Sequence, residues 1–435
     1  MPHACWHAAA LAAPIASRPA PTPMTTPSHA RDRARRLVVA VTLPAPRQGD
    51  CVVLPAKFVA GMTRFAADWS GPVAAVVERS DQPSGNLDNE PFAPSRLPFE
   101  VRVVDFAGAE FPAAIADAGL LVGMPDHRVG MASLARARGI RSVLVTENTL
   151  RTRRQIAAVS GRSWPRRLRT LWWEGRQERR IEREVQAADG LQCNGVPTWL
   201  AYRRWQPEAL LYFDTRTSAD LVPDRAEFAA RRDRLLAGEP LRLVFSGRLT
   251  RIKGVDHLPR VAAALRHRGV RFTLDVYGDG DLAPALRAEL AADGLAGCCR
   301  VHGAVPFREA LVPALRRGAD LFVCCHRQGD PSCTYMETLA CGVPIAGYAN
   351  EAWAGMLSQR DVGWLAPLDD PLALAAAIAA IDRDRPALAA KAERAWQWGA
   401  ENEFGATFAR RIAHFAAVAA GQSARPQIVC NPELG

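Results

Sequence analysis

The sequence predicts an α/β protein of two domains, each built on a doubly wound parallel sheet. Three observations carry this expectation. The chain has 435 residues, more than one ordinary core requires and enough for two domains of about 150 to 200 residues. Short, near-continuous apolar runs recur along it, as expected of strands covered on both faces. Ala-rich stretches of helical length separate them, which is the pattern of crossover units. With 49% hydrophobic residues the chain can fill two cores, yet no run approaches the ~18 apolar residues of a membrane span.

Residues 1–34 carry Pro14, Pro19, Pro21, Pro23 and Pro27 among Ala, Ser and Thr, and are expected to be a disordered tail. The weak apolar stretch Ala8 to Ile15 lacks the basic start of a signal peptide. A first domain is expected over 35–220, beginning with the strand RLVVAVTLP, Arg36 to Pro44. After it, PRQGDCVVLPAKFVAGM places a Gly49 loop before a helix. That glycine either lines a cleft or makes an ordinary turn. Further strands are expected at Val73 to Val77, Val101 to Phe106, Gly119 to Gly123 and Ser142 to Thr146. Ligands of open parallel sheets gather beyond the carboxyl ends of strands. His127 and Glu147, which follow two of these strands, are therefore candidates for holding a substrate hydroxyl. The alternative is that Asp126 caps the next helix and His127 is a solvated loop residue.

The stretch from Arg151 to Arg183 holds eleven Arg against three Glu, a net of +8, while the whole chain is only +10. Within it Trp164, Leu168 and Trp172 recur at four-residue spacing on one helical face, with Trp173 beside them. Arginine around tryptophan suits an anionic membrane surface or a lipid-linked, phosphorylated partner. The competing reading is a solvated helix whose tryptophans pack on their own domain. Basic and aromatic residues also bind single-stranded nucleic acid, but no nucleic-acid-binding motif accompanies them, and no such partner is expected. The ten cysteines form no CxxC pair, so no zinc site is expected and a reducing cytoplasm fits.

A linker is expected over 221–240, and LRLVFSG, Leu241 to Gly247, opens a second domain over 241–402. A final amphipathic helix is expected at 403–420, followed by a disordered tail over 421–435. The apolar run Asp320 to Cys325 reads as a buried strand. Beyond it come a loop with Gly329, Asp330, Pro331 and Ser332, a short helix carrying Glu337, and a strand at Val343 to Ala346. Free N–H groups at a helix start favour an anion, so the amides of Cys333, Thr334 and Tyr335 could hold a phosphate. A carboxylate beside phosphate is repelled unless it serves a hydroxyl, and a nucleotide ribose has two. Glu337 and the loop together suggest a nucleotide site.

HRQGDPSCTYMETLACGVPIAGYANEA, from His326 to Ala352, resembles the donor loop of retaining nucleotide-sugar glycosyltransferases of the GT-B fold, the group-1 glycosyltransferases. GRLTRIKG, from Gly247 to Gly254, resembles that family's diphosphate clamp. YGDGD at Tyr277 to Asp281 and HGAV at His302 to Val305 extend the likeness over roughly 240 to 385. One departure stands out. The family has two glutamates eight positions apart, and eight before Glu337 stands Gly329, with Asp330 one place off.

The resemblance implies two Rossmann-like domains facing a cleft, and transfer of a sugar to an acceptor hydroxyl with retention. It assigns Arg248, Lys253 and Glu337 to the reaction, with Asp330 either standing in for the first acid after a loop adjustment or that acid being absent, and Gly247, Gly278, Val305, Thr334, Tyr335 and Met336 to donor binding. Gly49, His127 and Glu147 would face the acceptor. The donor would be UDP- or GDP-linked, with no metal and no separate cofactor, Asp279 and Asp281 reading as a turn. The acceptor would be a glycan or a lipid-linked molecule, on the cytoplasmic face of a membrane. An epimerase or hydrolase of nucleotide sugars, a sugar-phosphate synthase or phosphorylase, or a non-catalytic nucleotide-sugar-binding protein are the alternatives.

Overall fold

The computed structural model describes residues 35–85, 88–126, 128–159 and 164–422. The expected tail over 1–34, His127, and the end of the chain beyond Gln422 lie outside them. Ten strands come first: β1 (Leu37–Ala45), β2 (Arg47–Gln48), β3 (Cys51–Pro55), β4 (Val73–Arg79), β5 (Asn89–Phe92), β6 (Glu100–Val104), β7 (Leu120–Gly123), β8 (Arg141–Thr146), β9 (Gly190–Asn194) and β10 (Leu210–Tyr212). Seven form a sheet in the order β10-β9-β8-β7-β1-β4-β6, with every neighbouring pair parallel.

Strand periodicity explains why β1 reads as a continuous apolar run. Val38 and Ala40 enter a core with Phe106, Phe111 and Leu121 on one face. Leu37 and Val39 enter the other, with Met62, Phe65 and Phe415. Phe408, Ile412, Phe415 and Val418, at helical spacing on the helix Phe404–Ala419, lie in that second core. The last helix among the described residues thus closes the first domain.

One local expectation is corrected. The residues after Gly49 form β3 before the helix Ala56–Asp68 begins, and β2, β3 and β5 make a small antiparallel sheet. Val52 and Leu54 are buried while Cys51 and Val53 are half-buried, an alternation that favours a strand.

The second sheet comprises β11 (Leu241–Ser246), β12 (Phe272–Tyr277), β13 (Cys299–Gly303), β14 (Leu321–Cys324), β15 (Ile345–Tyr348) and β16 (Gly363–Ala366). Its order is β13-β12-β11-β14-β15-β16, again all parallel. The segment expected as a linker is packed against this domain. Its helix Arg225–Leu236 is capped by Asp224, and Arg231 is buried where its guanidinium donates to the carbonyls of Leu315, Arg316, Cys341 and Gly342.

Both sheets reverse direction once. In the first, the chain winds from β1 through β4 to β6 and then restarts at β7 on the other side of β1. In the second it winds from β11 to β13 and restarts at β14 beside β11. Crevices open at such switch points, beyond the strands' carboxyl ends.

Candidate active site

The loops after β11 and β14 flank the second switch point, and they carry the residues suspected from sequence. The loops after β11 and β12 need glycine. A Cβ on Gly254, at φ +67°, would lie 2.0 Å from the Cys325 carbonyl oxygen. One on Gly278, at φ +131°, would lie 1.9 Å from the carbonyl oxygen of Gly247. Gly247 N–H donates to Tyr277 O, and Gly278 N–H donates to Gly303 O. These bonds stack the ends of β11, β12 and β13, bringing Gly247, Gly278 and the half-buried Val305 segment to one rim.

Arg248 and Lys253, expected as a cation pair, have different environments. Arg248 is exposed and, among the described residues, makes no ion pair. Lys253 is buried, with Nζ 2.9 Å from Asp330 Oδ2. Burial pushes the Asp330 carboxyl up, but Lys253 outweighs it, and the group titrates below its ordinary range. Among the described residues, Asp330 Oδ1 and the buried His326 Nε2 have no hydrogen-bond partner. Burial and Lys253 hold His326 well below the ordinary imidazole range, so it is neutral at pH 7.

The helix Cys333–Ala340 starts at Ser332 with no side-chain cap. Its expected phosphate-facing amides are reduced by one, because Tyr335 N–H donates to Ser332 O at 3.2 Å. The side chains of Tyr335 and Met336 are buried too. Tyr335 Oη meets His326 Nδ1 at 3.2 Å and accepts from Asn350 Nδ2 at 3.1 Å, which locks the loop from behind. These two residues shape the site rather than offer side chains to a ligand, whereas Thr334 remains half-buried at the helix start. Glu337 is buried, and its carboxylate is gripped by Arg216 through Nε–Oε1 of 2.7 Å and Nη2–Oε2 of 3.1 Å.

The first domain reaches this loop at several points. Lys57, at the start of the helix after β3, donates to Asp214 Oδ2 and, at 2.8 Å, to Cys333 Sγ. Burial pushes the Cys333 thiol up to about 12, so it serves as a neutral neighbour. Thr152 Oγ1 donates to Gly329 O at 3.3 Å, and Thr149 Oγ1 to Glu351 Oε2 at 3.0 Å. Glu147 lies beside this group and accepts from Asn194 Nδ2 at 3.2 Å; burial and then the nearby Asp214 push its carboxyl above the ordinary range. Gly49 sits in the exposed β2–β3 turn at φ +59°, which accounts for glycine there as turn chemistry.

Asp126 binds the backbone and side chain of Arg128 instead of capping a helix. The helix Met131–Ala137 takes its carboxylate from Glu184, which accepts from the N–H of Ala132 at 2.8 Å. Asp279 Oδ1 accepts from Gly280 N–H in a turn. Sequence reasoning missed Lys57, Asp214 and Arg216. The last two follow β10 directly, and the usable signal was a short strand running into polar residues at a sheet edge.

Two doubly wound parallel sheets whose carboxyl-end loops meet across one cleft define the GT-B architecture. Residues 240–384 match the family described as "Glycosyl transferases group 1". The chain is 29% identical over 144 residues to the amylovoran biosynthesis glycosyltransferase AmsK of Erwinia amylovora, covering 32% of this chain and 35% of the relative. It is 28% identical over 152 residues to the putative colanic acid biosynthesis glycosyltransferase WcaL of Salmonella typhimurium, covering 34% and 37%. The chain thus spans only about a third of the length of these curated relatives.

Solved structures resemble it over more of its length. Anabaena HepE in complex with UDP and glucose superposes with a TM-score of 0.58 at 14% identity, covering 87% of this chain and 99% of that one. WaaG, a glycosyltransferase involved in lipopolysaccharide biosynthesis, gives 0.57 at 14%, covering 86% and 98%. At such identities the likeness is one of fold.

Proposed function

We propose that the protein is a retaining glycosyltransferase that moves a sugar from a UDP- or GDP-linked donor to an acceptor hydroxyl in bacterial surface polysaccharide or glycolipid assembly. One observation carries the reading: the loop after β11 holds the exposed Arg248 and the buried Lys253, and Lys253 Nζ pairs at 2.9 Å with Asp330 in the loop that leads to an uncapped helix start at Ser332. That is a set of groups for a diphosphate. The named activities of AmsK, WcaL and WaaG, and the UDP bound to HepE, support the same reading.

In this mechanism Arg248 and Lys253 hold the diphosphate, and the amides of Cys333 and Thr334 face it. Glu337 serves the donor ribose, and the Val305 loop packs on the base. The acceptor oxygen attacks the anomeric carbon on the face from which the diphosphate departs. The carbon–oxygen bond to phosphate breaks as the new one forms, and a donor phosphate oxygen takes the hydroxyl proton. Developing charge on the diphosphate is met by the two cations. On this reading Glu147 serves the acceptor hydroxyl.

The basic helix Trp164–Ala187 bears on where this happens. Leu168 is 56% and Trp172 66% exposed, four residues apart, and Trp173 is 39% exposed. Among the described residues no helix is long and apolar enough to cross a membrane. The outward Leu168 and Trp172, with the Arg176 guanidinium 5.8 Å from the centre of the Trp172 ring, support peripheral contact with an anionic membrane carrying a lipid-linked acceptor.

The test is thermal stabilisation by UDP, GDP, ADP and their sugar conjugates, with and without EDTA. A selective shift that survives EDTA supports the reading, and no shift with any of them sinks it. Donor consumption without an acceptor would point to a hydrolase or epimerase instead.

A further inference from the structure

The donor reading leaves a problem of charge. An ionised Glu337 close to a diphosphate should repel it, yet the carboxylate is buried and cannot be screened by water. Arg216 answers this by a two-pronged ion pair to both carboxylate oxygens. Its guanidinium is held on a second side as well, lying 4.1 Å over the ring of Phe307, two residues beyond Val305. The segment that carries it is anchored. Asp214 N–H donates to Asn194 Oδ1 at 3.1 Å, the Asp214 carboxylate accepts from Lys57, and Thr217 O accepts from Phe404 N–H at 2.8 Å.

We propose that Arg216 is a positioning residue of the donor site: it fixes the Glu337 carboxylate and cancels its charge, so that this acid can accept ribose hydroxyls beside a diphosphate. Each carboxylate oxygen has two lone pairs, and the arginine uses one on each. The remaining pair on each oxygen is available to a diol. Arg216 also stands where the chain passes from the first domain to the second, and Thr217 is bonded to the start of the returning helix. The arrangement therefore makes ribose recognition depend on this segment, which no residue of the family-like stretch 240–384 supplies. The inference rests on the donor reading above.

Its test is a comparison of ligands as much as of variants. Binding of UDP and GDP, and of their 2′,3′-dideoxy forms, is measured by calorimetry on the full chain, for wild type, Arg216→Ala, Arg216→Lys and Glu337→Gln. Wild type is expected to prefer the ribose form of its nucleotide by about 10-fold or more, as hydrogen bonds to a charged group give. Arg216→Ala should weaken both forms, through the uncancelled Glu337 charge, but cost the ribose form about 10-fold more than the dideoxy form, so that most of the preference is lost, and Arg216→Lys should restore part of it. Should the alanine variant not fold, the lysine variant reads the same ratio.

An unchanged preference in Arg216→Ala would overturn the proposal. So would tighter binding of the ribose form, which would make the arginine a plug, or an equal loss for both ligands, which would make it merely structural. Wild type that binds neither nucleotide in any form would instead overturn the donor reading itself, and the inference with it.

Discussion

Lys253 Nζ lies 2.9 Å from Asp330 Oδ2, so the buried cation after β11 and the acid after β14 are partners across the switch point. The pair ties the loop after β11 to the loop that precedes the helix carrying Glu337. Asp330→Asn strips a buried ammonium of its counter-charge, and a loss of about 2 kcal/mol at pH 7 is expected by denaturant unfolding. The Asp330 carboxyl titrates below the ordinary 3.8 in the folded protein, so its contribution is complete above that value and is lost as pH falls through the folded value. The difference between wild type and variant should accordingly shrink in acid. A difference that stays constant down to pH 3 would mean the pair does not stabilise the loop.

Arg248 separates binding from stability. It is exposed, and Arg248→Ala should leave unfolding within about 0.5 kcal/mol of wild type. Loss of a charged contact to diphosphate should lower nucleotide affinity by about 10- to 100-fold. Normal affinity and turnover in this variant would remove Arg248 from the clamp.

Glu147 provides a pH signature of opposite sign. Burial, with Asp214 adding to it, raises its folded pKa above the ordinary 4.5. The unfolded chain then ionises first, so this residue costs stability as pH rises through that interval. Glu147→Gln should be more stable than wild type at pH 7, with the gain fading below pH 4.5. Equal stability at both values would show that the carboxyl is not held off water.

Arg231 joins the segment before β11 to the second domain. Arg231→Leu leaves the carbonyls of Leu315, Arg316, Cys341 and Gly342 without their donor, and a loss of about 3 kcal/mol is expected. Chemical denaturation followed by tryptophan fluorescence reads it, since Trp396 stacks on Phe228 of the same helix at 5.0 Å.

Leu168 and Trp172 test the membrane reading. Changing both to Ser should abolish cosedimentation with vesicles rich in phosphatidylglycerol and leave folding unaltered, because both side chains are already largely in water. Retained binding would move the contact elsewhere on the surface.

Much of the second domain was legible before any coordinates. Its strands are buried on both faces and so appear as apolar runs, and Gly254 and Gly278 are marked because a Cβ at either would strike a carbonyl. Glu337 and Lys253 were singled out by their place in the donor-loop and clamp-like motifs, and the structure adds their partners, Arg216 and Asp330. The first domain was harder to read. Its small antiparallel sheet was mistaken for loop and helix, since β3 has only five residues and alternates weakly. The resemblance assigns Tyr335 and Met336 to donor binding without saying by which atoms, and the helix turns both side chains into the core.

The sequence by itself determined two doubly wound sheets and marked the loops and helix start at the second switch point, because burial period, turn glycines and helix starts are local properties of a chain. Only tertiary structure decided who meets whom. Arg216 lies 121 positions from Glu337, and Lys57 lies 276 from Cys333. Such pairs are set by how two domains close on one another, and no local pattern records that distance. The physical reason is that ion pairing depends on separation in space and on burial, both of which arise only when the sheets and their loops have packed.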